Sequence, residues 1–200
     1  MKLTAALSTL LLGSIMAAAD DVQSKPFNLV IQSADKGLNG QMFAACHTGA
    51  AIESLCVSGR FGSQFFFNTT EGAQSPMPGF EPSGAITYNL PLSGAPDHVS
   101  EPMDFWTDPS TNVALPLFQP GYSRQQVTFD KQSQLAILSY LDDTHTPPTG
   151  TKVKALKNWY VCQTYYTGYQ YRTLSWVLGS GSVKPQNPSC VKVEVQRKFL

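Results

Sequence analysis

Charge is scarce and balanced in this sequence. Of 200 residues, 14 are Lys or Arg and 14 are Asp or Glu, so the formal net charge is +0. Such a chain has no basic face for nucleic acid or for an anionic membrane surface, and no nucleic-acid partner is expected. Helix signals are missing as well. No window sustains an apolar stripe at i, i+3, i+4 and i+7 with caps. Fifteen glycines and 14 prolines interrupt the chain too often for long helices. A single helical turn around Thr48 to Ser54 is compatible with the pattern. No C-x-x-C pair accompanies paired histidines, which excludes the usual zinc frame. The D-x-[DN]-x-[DN]-G calcium loop and the G-x-S-x-G nucleophile elbow are both absent. No metal and no cofactor are expected. After the N-terminus no apolar run reaches bilayer length, and residues 192–200 alternate charge and apolarity, unlike a GPI tail. No membrane anchor is expected.

What is present begins at the N-terminus. Lys2 supplies a positive start, Leu3 to Met16 an apolar run, and Ala17-Ala18-Ala19 a small-residue cleavage site before Asp20-Asp21. This is the anatomy of a signal peptide over 1–19, followed by one secreted domain over 20–200. The apolar run is shorter than the ~20 residues of a membrane span. Four cysteines, Cys46, Cys56, Cys162 and Cys190, fit an oxidising compartment, where an even count reads as disulfides. Of the three connectivities, the pairs nearest in sequence, Cys46–Cys56 and Cys162–Cys190, are favoured. Asn68-Thr69-Thr70 is a glycosylation sequon, expected at a strand end. Asn187-Pro188-Ser189 is blocked by its proline.

Short β-like runs separated by Gly, Pro, Asn and Ser fill the rest of the chain. They fall at 27–31, 41–46, 51–57, 65–68, 85–90, 113–118, 125–129, 135–141, 159–166, 173–178 and 191–196. About eleven strands of ordinary length suit an all-β fold, a single-domain antiparallel β-sandwich or barrel. A β-trefoil is the runner-up. Residues 72–83 and 144–150 read as long loops.

The C-terminal third carries Trp159-Tyr160-Val161-Cys162, Gly168-Tyr169-Gln170-Tyr171, Leu174-Ser175-Trp176-Val177-Leu178-Gly179 and Asn187-Pro188-Ser189-Cys190. Phe27-Asn28-Leu29, Cys46-His47-Thr48-Gly49-Ala50-Ala51 and Phe65-Phe66-Phe67-Asn68 stand upstream. Together these segments resemble a family of small secreted proteins from filamentous fungi carrying a domain of unknown function. The final segment is also distantly similar to fungal phialide-associated cell-wall proteins. The resemblance implies a fungal, secreted protein associated with the cell wall. It carries over no catalytic residue.

Two chemistries compete for the candidate residues. Asp97, Glu101, Asp104 and Asp108 lie in a loop-rich stretch, and Asp142-Asp143 ends a strand. Two such carboxylates across a cleft would serve a small secreted glycosidase-like hydrolase, although Asp at strand ends ordinarily builds turns. His47 is expected to hydrogen-bond the turn backbone. It has Glu53 near in sequence but belongs to no catalytic motif. His98 and His145 read as solvated. The aromatic residues point elsewhere. Trp159, Tyr160, Tyr165, Tyr166, Tyr169, Tyr171 and Trp176 lie in one expected hairpin. Strand alternation puts Tyr160, Cys162 and Tyr166 on one face, and Trp159, Val161 and Tyr165 on the other. Such rings either pair across the sheet or stack on sugars or an apolar partner. Tyr165, Tyr166, Tyr169 and Tyr171 are the binding candidates. The expectation is a non-enzymatic extracellular module, structural or binding, with cell-wall polysaccharide or an extracellular protein as partner. The alternatives are the hydrolase and an effector that binds a host protein.

Overall fold

Every regular element among the described residues is a β-strand. A computed structural model describes residues 21–179 and 183–200; the expected signal peptide, 1–19, lies outside them. The strands are β1 (Asp21–Gln23), β2 (Phe27–Gln32), β3 (Met42–Gly49), β4 (Ile52–Gly59) and β5 (Phe65–Thr70). Then come β6 (Gly84–Pro91), β7 (His98–Trp106), β8 (Val113–Phe118), β9 (Thr128–Phe129) and β10 (Leu135–Asp142). β11 (Thr149–Leu156), β12 (Trp159–Tyr166), β13 (Tyr169–Val177), β14 (Val191–Lys192) and β15 (Glu194–Phe199) complete the chain.

Eight strands close an antiparallel barrel in the order β2, β5, β6, β7, β8, β13, β4, β3 and back to β2. Phe27 facing Phe65 joins β2 to β5, and Val30 facing Met42 joins β2 to β3. β13 is a wedge. At one end it separates β8 from β4, with Trp176 facing Ala114 and Thr173 facing Cys56. At the other end β4 and β8 pair directly, Glu53 facing Phe118. Of sandwich, barrel and trefoil, closure selects the barrel. It also leaves the ring itself without an edge strand.

Alternation explains the core. Phe27, Phe43, Leu55, Phe65, Met103 and Phe118 point inward and are fully buried. Burying each such side chain stabilises by about 1.5–3 kcal/mol. A small second sheet, β9-β10-β11, adds Phe129 and Leu135 to the same core. Phe129 meets Phe27 and Phe67 edge to face, at 5.9 Å and 5.2 Å. Trp159 Nε1 donates to the Leu135 carbonyl at 2.9 Å, which satisfies the one polar atom of a buried indole. Arg197 on β15 holds the C-terminus. Its guanidinium lies 4.1 Å from the Phe129 ring centre and pairs with Glu81.

Both favoured disulfides form. Cys46–Cys56 links β3 and β4, and Cys162–Cys190 ties β12 to the segment before β14. Three strands escape the sequence pattern: β1, β7 and β11. In β7, acids and Pro102 mask the inward series Glu101, Met103, Phe105. Pro102 cannot donate to the ladder, so the segment reads as a loop. Residues 48–54 form no helical turn. They run from β3 into β4 through Ala51 at φ 51°.

Candidate functional site

The β12–β13 hairpin carries the aromatic candidates, and its register sorts them. Tyr166 faces Tyr169, Thr164 faces Tyr171, and Tyr165 faces Gln170. Opposed residues share a face, so Tyr166, Tyr169 and Tyr171 lie together and Tyr165 lies on the other side. Tyr169 and Tyr171 stack at 5.9 Å. The connecting turn is the two-residue Thr167-Gly168, with φ values of 51° and 126°. Positive φ at both positions suits the right-handed twist of the flanking strands. Thr167 Oγ1 donates to the Thr48 carbonyl at 2.5 Å, which straps the hairpin tip to the β3–β4 turn.

The face carrying Tyr165 begins as core. Trp159 and Val161 are buried, but two and four residues further on the strand overruns the barrel, and Gln163 and Tyr165 are exposed. There Tyr165 helps to line a cleft of about 280 Å³ with Trp106, Gln163, Gln170 and Asn187. Val113 and Leu115 of β8, with Thr111 and Thr164, complete the lining. Trp106 of β7 also packs edge to face on Tyr166, ring centres 5.0 Å apart. Asn187 is fixed: its Nδ2 donates to the Gln163 carbonyl at 2.9 Å, and its Oδ1 accepts from Ser189. The Gln163 and Gln170 side-chain amides make no hydrogen bond to another described residue. The cleft therefore offers two aromatic faces, the amides of Gln163 and Gln170, the hydroxyls of Thr111, Thr164 and Tyr165, and no charged group.

The carboxylates behave differently. Asp108 accepts from Ser110, and Asp142 from Thr144. In both, these bonds hold the carboxyl below the usual carboxylate range. Asp104 accepts from Ser123 and from the Phe105 amide, and the Asp97 carboxylate meets its neighbour His98. Asp97 and Asp143 line separate clefts. The His47 side chain has no hydrogen bond to the turn backbone among the described residues; its ring instead meets Tyr169 edge to face at 5.7 Å. Among the described residues no three His, Cys, Asp or Glu gather as a metal site.

One carboxyl pair does converge inside the barrel. Glu53 and Glu101 take inward positions, and Glu101 is 0% exposed. Glu101 faces Tyr88, which in turn faces Phe65. Burial, then a hydrogen bond and repulsion from Glu53, push Glu101 up to about 8. Burial first, then the two glutamates, also raise Tyr88. Two ionised carboxylates offer only acceptors, so their hydrogen bond needs a shared proton. Both Glu101 oxygens and Glu53 Oε2 are buried, and no donor among the described residues reaches them. The signal was in the sequence: Glu53-Leu55-Val57 and Glu101-Met103-Phe105 each put an acid in an apolar series of period two.

Asn68 is the fourth residue of β5 rather than at its end, half-buried between β1 and β6. An eight-stranded antiparallel barrel, clipped by two disulfides and extended at β13 by an aromatic hairpin, defines the class of this molecule. The chain belongs to the family described as Domain of unknown function (DUF7907), whose family model matches residues 24–199. No curated protein and no solved structure matches it.

Proposed function

We propose that this chain is an exported, non-catalytic binding module of fungal type, working in or on the cell wall, and that it holds a neutral polysaccharide between Trp106 and Tyr165. The composition of that cleft carries the reading. Sugars present apolar C–H faces that stack on aromatic rings, and hydroxyls that bond amides. A pocket of that make-up, free of charge, matches an uncharged glycan better than an anionic or cationic ligand. Two disulfides with no free thiol favour export. The resemblance to small secreted fungal proteins supports the same compartment. Hydrolysis is less well supported: Asp97, Asp108 and Asp142 stand on separate loops and strand ends, and the Glu53–Glu101 pair is closed off from substrate.

The register also refines the set of binding residues. Tyr165 belongs to the cleft, whereas Tyr169 and Tyr171 stack on the opposite face. Retention of the purified protein on insoluble neutral polysaccharides tests the proposal. Trp106→Ala and Tyr165→Ala should each weaken retention by at least about tenfold, on the order of 1.4 kcal/mol. Tyr169→Ala should retain. Wild-type retention by all three variants would remove the cleft as the site. A wild-type protein that ignores every polysaccharide but captures an extracellular protein would replace the ligand class.

A further inference from the structure

A second groove lies on the outer face of β5, β6 and β7. Asp21, Asn68, Thr87, Ser100, Tyr122 and Arg124 surround about 410 Å³. Its floor holds two buried polar atoms with no protein partner, Asn68 Oδ1 and Thr87 Oγ1. They stand on neighbouring strands: Thr87 faces Phe66, and Asn68 is two residues on along the same outward face. A buried polar atom without a partner is costly and calls for a ligand or ordered water. At the groove's edge Tyr122 is fully exposed, with no ring contact to any described residue. Arg124 is already paired with Asp21 at 2.9 Å, so the groove carries no unpaired cation. Asn68 itself opens the one sequon free of proline, and its Nδ2 is neither hydrogen-bonded nor sealed off.

We infer that Asn68 carries an N-linked glycan whose first N-acetylglucosamine occupies this groove, its ring over Tyr122 and its polar groups on the Thr87 and Ser100 side. The inference rests on the export proposed above, because the donor exists only on that route. The donor is a polyprenyl-pyrophosphate-linked oligosaccharide. Asn68 Nδ2 attacks C1 of its reducing-end sugar, the N–C1 bond forms and the C1–O bond breaks. One amide proton is lost and the polyprenyl pyrophosphate leaves. The first sugar then becomes part of the outer wall of the barrel, where an aromatic face and two orphaned acceptors await it.

The test compares three forms secreted by a eukaryotic host: the intact glycoprotein, the same protein trimmed by endoglycosidase to one sugar, and Thr70→Ala, which removes the sequon but keeps Asn68. Intact mass should show Asn68 occupied. The intact and trimmed forms should melt together, with Thr70→Ala lower by about 2–4 °C. Wild type and Thr70→Ala made in a bacterial periplasm, without glycan, should melt alike. Tyr122→Ala should lower the Tm of the glycosylated protein and leave that of Thr70→Ala unchanged. An unoccupied Asn68 overturns the inference, as does a trimmed form that melts with Thr70→Ala. Periplasmic protein that still binds polysaccharide would keep the Trp106 cleft standing whichever way the glycan experiment falls.

Discussion

The inside of the barrel and the tip of the β12–β13 hairpin, where it overruns the ring, invert the usual placement of side chains. Inside, Glu53 and Glu101 sit among phenylalanines, and no cation among the described residues pairs with them. Outside, Trp106 and Tyr165 face solvent beside amides that bond nothing. Each exception has a different meaning. The carboxyl pair is silent so long as one proton stays between the two groups, because a neutral acid and a single charge cost far less in an apolar interior than two charges. It is therefore a feature of stability. The rings are costly only in the sense that exposed apolar surface gains nothing from folding, and they become useful when something covers them. Under the proposed function they are a feature of binding.

The largest expected effect separates the two regions by pH. Glu101 is raised in the folded state, so the native protein keeps a proton that the unfolded chain releases from the ordinary carboxyl range upward. Stability from this group is fully present below about pH 4.5 and is lost as pH rises to about 8, at about 1.4 kcal/mol per unit. The total is on the order of a few kcal/mol, since the barrel relaxes around the charge. Tyr88, across the strand, titrates above this window, and His47, the cross-strand partner of Glu53, is turned to Tyr169. Denaturant melts from pH 5 to 9 should show the decline for wild type and a much flatter profile for Glu101→Gln. Parallel profiles would break the assignment.

The next effect belongs to the outer region. The Cys162–Cys190 bridge closes a 28-residue span and holds Asn187 near β12. Replacing both cysteines by Ala should cost about 2–4 kcal/mol in chemical denaturation and weaken polysaccharide retention as well. Cys46–Cys56 closes a span of 10 between strands that already pair, and its loss should cost less and spare retention. Equal costs, or equal effects on retention, would blur the distinction. Smaller still, Tyr169→Ala should lose the stacking on Tyr171 and the contact with His47, about 0.5–1.5 kcal/mol. Thermal melts with retention measured in parallel would show whether that face only stabilises.

Much of the fold was readable because inward and outward residues alternate. The runs at 27–31, 113–118 and 159–166 all became strands, and the disulfide pairing that the cysteine spacing favoured is the one that forms. Alternation also put Tyr165 on the face of Trp159 and Val161. It did not reveal that the strand leaves the core after Val161, because that depends on where β8 ends in space. β7 was hidden by Pro102 and by acids that read as loop. Period-two patterning marks Glu53 and Glu101 each as an inward acid, but their pairing was hidden for a different reason: it exists only once β4 and β7 flank β8 in a closed ring. The cleft joins Trp106 to a hairpin some sixty residues later, and no local pattern encodes such a meeting.

The claim that function lies outside the barrel and stability inside it is tested most directly by one titration. Affinity for a soluble fragment of whichever polysaccharide retains the wild type is measured at pH 6 for wild type, Trp106→Ala and Glu101→Gln. Binding should survive Glu101→Gln within about twofold and fall at least about tenfold in Trp106→Ala. Loss of binding in Glu101→Gln, with Trp106→Ala unaffected, would contradict it.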